Sequence, residues 1–346
     1  MADRVYEFSR IAHAGARAKD AASALADAPT ASGEGARYGL IYNPRSHRNK
    51  GQDLELADHP GLLIAQPKDR DELPAVLAEF AVQGIELLAI NGGDGTVRDV
   101  LTCGQAVFGT NWPKLAVLPK GKTNALNVDL GAPADWTMAG VLEAYERGKT
   151  IAHRALAISP VDDPDAQVLG FILGAGAFTI GIRAGQDAHR WGAFDSLAVG
   201  VTAGWGVIQA LFGSDENIWR RGVGMNVRLG ADRVPAPHSG HGDRDKREIL
   251  FASTLERFPM GMKPFAGTNG QIGLAIMDKP RRRLVGVLPF VVAGYRPKWL
   301  AEAGFHQLST DSFELELDDQ FILDGEAFPA GKYRVAMGPE LQFVVP

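Results

Sequence analysis

At 346 residues the chain is long enough for two domains with substantial cores, and 45% apolar against 22% charged residues excludes a disordered polymer. Its 36 Lys and Arg are outnumbered by 41 Asp and Glu, a formal net charge of −5, so no nucleic-acid-coating surface is expected. A single cysteine, Cys103, excludes an internal disulfide and any multi-cysteine zinc site, which fits a reducing cytoplasm.

Residues 1–36 read as an N-terminal extension, partly helical, because Val5, Phe8, Ile11 and Ala12 fall on one helical stripe. It lacks an apolar core followed by a small-residue cleavage site, so no secretion signal is expected there. From Arg37 the chain alternates. Residues 38–42 form an apolar run that stops at Asn43-Pro44, and residues 71–82 have helical spacing through Leu73, Val76, Leu77 and Phe80. A second run, 86–90, ends in Gly92-Gly93-Asp94-Gly95-Thr96 before a helix-compatible stretch at 97–101. A third, 115–118, ends in Pro119-Lys120-Gly121-Lys122-Thr123-Asn124. Strands that each run into a polar or glycine-rich turn, with helices between, predict a parallel α/β domain over 37–153 whose ligand sits at the strands' C-terminal ends.

Residues 154–346 change texture to short β-like runs with glycine-rich turns, at 155–158, 168–173, 223–229, 249–255, 272–277 and 313–317. A mainly β, sandwich-like second domain is expected. The Pro-, Gly- and His-containing stretch 231–247 reads as a mobile loop. Two apolar stretches, 197–213 with four glycines and 284–295 interrupted by Pro289, fall short of a membrane span.

Successive glycines directly after a buried strand bring backbone N–H groups close to a ligand, the arrangement that cradles phosphate oxygens. Gly92, Gly93 and Gly95 can do this. The Asp94 carboxylate inside such a turn would repel phosphate unless a cation lay between them or a proton were being removed nearby, which favours a magnesium nucleotide over a bare dinucleotide. A tight turn with a capping Asp is the plain alternative. After the first strand, Asn43, Arg45 and Ser46 offer amide, guanidinium and hydroxyl groups to a nucleotide, with Arg48 and Lys50 adding charge. Gly121-Lys122-Thr123 is not a P-loop, because Ala116 stands where that motif needs glycine. Gly174 and Gly176 lack the third glycine of a dinucleotide fingerprint, Thr179 occupying its place. Residues 321–323 deliver Asp324-Gly325-Glu326, two carboxylates suited to a general base and a metal or nucleotide contact, or else a plain hairpin turn. His238 and His241 have metal-like spacing without a third ligand nearby and read as loop.

Together, Asn43-Pro44 with Ser46, Gly92-Gly93-Asp94-Gly95-Thr96, Pro119 with Gly121 and Asn124, and Asp324-Gly325-Glu326 resemble the diacylglycerol kinase catalytic-domain family, which includes bacterial soluble lipid kinases and the sphingosine and ceramide kinases. The resemblance implies an α/β nucleotide domain followed by a β-rich lipid domain, ATP with Mg2+ at the cleft between them, and transfer of the γ-phosphoryl group to a lipid hydroxyl. It implies nucleotide contacts from Asn43, Pro44, Arg45, Ser46 and His47, from Gly92 through Thr96 with Arg98 and Asp99, and from Gly121, Lys122, Thr123 and Asn124. Catalytic roles fall to Asp324, Glu326 and Asp94, metal contacts to Asp94 and Glu326, and the choice of base between Asp324 and Glu326 stays open.

The chain departs from the family pattern at His47, at Arg98-Asp99, at Lys122 and Ala125, and at Asn269-Gly270, where bacterial members carry an Asp for a structural magnesium. Arg98 and Lys122 are candidates to replace lost charge stabilisation, and ceramide or a sphingoid base rivals diacylglycerol as acceptor. The expected setting is cytoplasmic, in peripheral contact with the inner face of the membrane, with Trp205, Trp219 and Arg281–Arg283 as candidate interface residues and a homodimer compatible with the pattern. Two rivals are a kinase of a soluble substrate such as NAD, whose superfamily shares the Gly-Gly-Asp-Gly turn, and a catalytically weak nucleotide- or lipid-binding module.

Overall fold

The computed structural model describes residue 8 and residues 37–49, 58–177, 179, 222–265, 267 and 271–346. The extension before Arg37 apart from Phe8, the stretch 197–213, Trp205, Trp219 and Asn269-Gly270 lie outside the described residues. The chain divides into two compact units. Among the described residues, the first takes residue 8, 37–159, 163–170 and 338–346, and the second takes 160–162 and those between 171 and 337. A single cut at 153/154 does not express this partition, because the last nine residues return to the first unit.

In the first unit, β1 (Tyr38–Tyr42), β2 (Leu62–Ala65), β3 (Leu87–Gly92) and β4 (Lys114–Pro119) pair in the parallel order β2-β1-β3-β4. Phe343 pairs in parallel beyond Leu115 of β4. β1 and β3 are buried throughout, and so is β4 after Lys114, which is why they read as unbroken apolar runs rather than alternating ones. One face carries Leu40, Leu87, Ala89, Ala116 and Leu118, packed with Trp136, Met138 and Val141. Helices α1 (Leu73–Val82) and α2 (Asp94–Phe108) pack on each other, and α2 on β3. α1 opens with Pro74 in its first turn, where the missing N–H costs nothing. α2 buries Val97, Val100, Leu101 and Cys103. Two further helices, α3 (Ala125–Leu130) and α4 (Met138–Glu146), follow β4; Thr137 caps α4 by accepting the Gly140 N–H. β5 (Thr150–Pro160) pairs antiparallel with β6 (Val168–Gly170), and Thr102 Oγ1 accepts the Leu169 N–H at 3.0 Å, fastening β6 to α2.

The second unit is antiparallel. One sheet orders β7 (Ile172–Gly176), β11 (Ile249–Ser253), β12 (Ile272–Met277), β13 (Phe305–Thr310), β15 (Phe321–Leu323) and β16 (Glu326–Phe328) as β13-β12-β11-β7-β15-β16. The other runs β10-β8-β14 into the first half of β17, with β8 (Val223–Leu229), β10 (Lys246–Arg247), β14 (Ser312–Leu317) and β17 (Gly331–Val344). Phe321, Phe328 and Tyr333 stack in its core, with ring centroids 4.9 and 5.0 Å apart. Residues 282–292 form helix α5 (Arg282–Val292) with Pro289 inside it.

The stretch 231–247 differs from the expected mobile loop. It contains β9 (Val234–Pro235) and β10, and it is tied down by a buried charge cluster. Arg247, 5% exposed, bonds the carboxylate of Asp278 and, through Nη1, the Pro237 carbonyl at 2.9 Å. Asp278 also meets His306 Nε2 at 3.0 Å and accepts the Ser239 N–H at 2.7 Å. His238 Nε2 stands 3.9 Å from the same carboxylate, so the histidine read as loop faces an acid at the core's edge. Burial alone would raise the Asp278 pKa, but hydrogen bonds from His306 and Ser239 and the charge of Arg247 hold it far below the usual carboxylate range.

Candidate active site

The turns after β1, β3 and β4 are sewn together by backbone bonds. Asn43 N–H donates to Asn91 O at 3.1 Å, Lys120 N–H to Gly92 O at 3.2 Å, and Arg48 N–H to Lys120 O at 3.0 Å. Side chains reinforce the seam. Asn43 Nδ2 donates to Thr96 Oγ1 at 2.9 Å, while Asn43 Oδ1 accepts the Arg45 N–H at 3.0 Å. Buried Asn49 donates to the Asn43 carbonyl at 2.9 Å and to Asn91 Oδ1 at 2.5 Å. Neither Asn49 nor Asn91 is singled out by the sequence, since one amide in a basic loop and one inside an apolar run carry no spacing signal.

The glycines divide by what they do. A Cβ on Gly93 would lie 2.8 Å from Gly121 Cα, and one on Gly121 2.6 Å from Gly93 Cα, so these two turns touch backbone to backbone. Gly92 would strike the Thr96 side chain at 2.5 Å. Gly95 is different: a Cβ there meets nothing nearer than 3.7 Å, so packing does not demand its missing side chain. Asn124, with φ of 50°, clasps the third turn, accepting the Gly121 N–H at 2.7 Å and donating to its carbonyl at 3.0 Å.

A cavity of about 300 Å³ opens here, lined by Arg45, Ser46, His47, Gly93, Gly95, Thr96, Gly121 and Lys122. Its floor includes the N-terminus of α2, whose first-turn amides and dipole favour an anion. Two permanent cations and a histidine join the wall, and no carboxylate does. These residues fit phosphate oxygens. They do not fit a resident metal ion, and among the described residues no group of three or more His, Cys, Asp or Glu could hold one. Asn43, Pro44, Gly92, Thr123 and Asn124 stand behind or beside this lining rather than in it.

Two of the expected contacts lie elsewhere. Arg98, 1% exposed, places Nη2 2.8 Å from Asp99 Oδ1, and Asp99 Oδ2 accepts Arg70 Nε at 2.7 Å. A buried guanidinium needs a carboxylate beside it, so Arg98 and Asp99 are held by one another and are not part of the cavity wall. Asp94 is likewise absent from the lining. Its carboxylate accepts the Leu126 N–H at 3.4 Å at the start of α3, so the first residue of α2 serves the N-terminus of another helix. Burial pushes its pKa up against the opposing pull of the amides of Ala125, Leu126 and Asn124.

In the second unit, Asp324 and Gly325 form the two-residue turn between β15 and β16, with φ of 46° and 83°. Positive φ at both central positions is what a type I′ hairpin requires. The Asp324 carboxylate accepts the N–H groups of Phe171 at 3.0 Å and Ile172 at 2.9 Å, while its own N–H donates to Ile172 O at 2.9 Å. Glu326 follows on β16, half-buried. Asp324→Asn keeps a residue tolerant of this φ but replaces one acceptor oxygen by a donor facing an N–H. It is expected to cost about 1–3 kcal/mol in a denaturant melt; Glu326→Gln is expected to leave the melt within roughly 0.5 kcal/mol.

Residues 37–157 match the family model of the diacylglycerol kinase catalytic domain. A solved structure of a diacylglycerol kinase from Bacillus anthracis aligns with a TM-score of 0.60 at 14% identity, covering 91% of this chain and 99% of that one. Another from the same strain, whose diacylglycerol kinase assignment is provisional, gives 0.61 at 13% identity with the same coverage. At these identities the likeness is one of fold. No curated protein matches the sequence. The α/β unit and the β-rich unit are both those of the expected architecture. Residues 37–157 thus match the diacylglycerol kinase catalytic domain, and the chain shares the fold of these solved structures.

Proposed function

We propose that the chain moves the γ-phosphoryl group of ATP to the hydroxyl of a neutral lipid alcohol, diacylglycerol or a ceramide or sphingoid lipid. The observation that carries this reading is the cavity lined by Gly93, Gly95 and Gly121 with Arg45, His47 and Lys122 and no acid, which suits a phosphate chain. Magnesium enters only as the counter-ion of the nucleotide, where it would share phosphate charge. Gly95 leaves the wall open to the phosphates, and Lys122 and Arg45 meet their charge. As the new O–P bond forms and the bond to the β-phosphate oxygen breaks, the hydroxyl proton passes to a carboxylate, with Asp324 and Glu326 the candidates for that base. The acceptors are membrane lipids, so the reading places the protein in the cytoplasm, peripheral at the inner face. Among the described residues no helix is long and apolar enough to cross a membrane.

The test is incubation of purified protein with Mg2+ and labelled ATP against diacylglycerol, ceramide and sphingosine in micelles, with NAD in a parallel tube. Label is expected on one lipid and not on NAD. Lys122→Ala is expected to lower kcat/KM for ATP roughly ten- to a hundredfold, the worth of one charge-assisted contact. Label on NAD alone favours a soluble-substrate kinase, and ATP binding without transfer to any acceptor favours a binding module; either result overturns the lipid reading.

A further inference from the structure

The second unit presents an apolar corner that its own core does not use. Phe258 and Phe265 are buried, with ring centroids 5.7 and 5.5 Å from Phe251, and they anchor the two ends of a loop. At its tip, in the short turn Pro259–Gly261, Met260 is 93% exposed with φ of 59°. A side chain in the left-handed region costs on the order of 1 kcal/mol, and here an apolar group is held out in water by it. Lys263 N–H donates to Val292 O at 2.6 Å, and Arg296 Nη2 donates to Phe265 O at 2.8 Å, fastening the loop to the C-terminal end of α5. Three residues of chain keep Met260 within about 11 Å of Lys263. Phe290, 64% exposed, and Tyr295, 55% exposed, lie at that same end.

The outer stripe of α5 is Arg282, Gly286, Pro289, Phe290 and Ala293, all exposed at helical spacing. Its amino end begins with Arg281, Arg282 and Arg283 and has no acid in the first turn, the reverse of what the helix dipole prefers. Arg283 stacks over Trp299 at 4.9 Å, whereas Arg281 and Arg282 have no ion-pair partner among the described residues. Segments 256–265 and 279–302 carry eight Lys or Arg against two Glu, in a chain of net charge −5.

We infer that this corner docks on an anionic phospholipid bilayer. Met260, Phe290 and Tyr295 enter the headgroup layer, and Arg281 and Arg282, about 12 Å along the helix from Phe290, meet lipid phosphates. The local positive charge on an acidic protein is complementary to such a surface, and among the described residues Arg281 and Arg282 have no ion-pair partner of their own. The inference rests on the lipid-kinase reading for its purpose and on the surface itself for its evidence.

The test is co-sedimentation of the full chain with phosphatidylcholine vesicles, with and without phosphatidylglycerol, for the parent, a Met260→Ser/Phe290→Ser pair and an Arg281→Glu/Arg282→Glu pair. The parent is expected to bind the anionic vesicles far better, and each pair to weaken that binding about tenfold or more while melting like the parent. Transfer to a water-soluble short-chain acceptor is expected to be unchanged in both pairs. Equal vesicle binding by parent and pairs overturns the inference, as does gel filtration showing a dimer that Phe290→Ser splits while vesicle binding persists. If no acceptor gains phosphate but the vesicle pattern holds, the kinase reading falls and the docking surface stands.

Discussion

Gly121→Ala is expected to lose nucleotide binding and about 1–3 kcal/mol of stability, because its Cβ must displace the Gly93 backbone, which stands 2.6 Å away. Gly93 caps the start of α2, and Gly121 is gripped on both sides by Asn124, so neither turn can give way without loosening a helix end or a hydrogen-bonded clasp. Gly95→Ala makes the contrast. Its Cβ meets ordinary contacts at 3.7 Å in the first turn of α2, where alanine is no worse than glycine, so its melt stays at or above the parent's. Its ATP affinity falls, because the new methyl narrows the cavity wall. Denaturant melts and titration calorimetry on the two variants check both halves, and a Gly121→Ala protein with the parent's midpoint and affinity would remove the backbone contact as the site's foundation.

Asp278→Ala is expected to cost about 3–5 kcal/mol, the largest effect of any single change considered, because it leaves Arg247 buried beside no anion. The pH dependence has a definite sign. The folded pKa of Asp278 lies below its unfolded value of about 3.9, so the stabilisation is complete above that value and is lost as pH falls through the folded one. His238 adds to the same trend. Burial pushes its pKa down, so protonation of the unfolded chain below about pH 6.5 also draws the protein toward unfolding. Urea melts from neutral pH to about pH 3 should therefore show the parent losing stability toward acid, and the gap between parent and Asp278→Ala narrowing at the acid end. A gap that is constant over that range would mean that the fold does not lower the carboxylate's pKa.

Much of the α/β unit is legible from residues alone, since β1, β3 and β4 are apolar runs each stopped by a chemically distinct turn at Asn43-Pro44, Gly92-Gly93 or Pro119-Lys120. β17 is not, although it is the longest strand among the described residues, because Gly338 and Pro339 interrupt its alternation and read as a break. The cavity wall was legible by type, but the reason for its glycines was not. Amide exposure explains Gly95, while Gly93 and Gly121 are fixed by a contact between turns 28 positions apart, which no local pattern encodes. Long-range pairing also hides the true partners of the acids. Asp94 belongs to the amides of α3, and Asp324 to Phe171 and Ile172, more than 150 positions earlier. For Arg98 the family resemblance implied a nucleotide contact; only burial reveals that it pairs with Asp99. Asp278, Arg247 and His306 come from three segments, each an ordinary polar residue until the sheet assembles them.

The lone thiol of the chain lies on the buried side of α2, the helix that begins at the cavity. Cys103 thus provides a built-in clock without any engineered label. A thiol-reactive dye can modify it only while that helix lifts from the sheet, so the native labelling rate, divided by the rate for the denatured chain, measures how often this layer opens. An anion seated against the helix's first turn should slow that clock, giving a readout of occupancy independent of phosphate transfer.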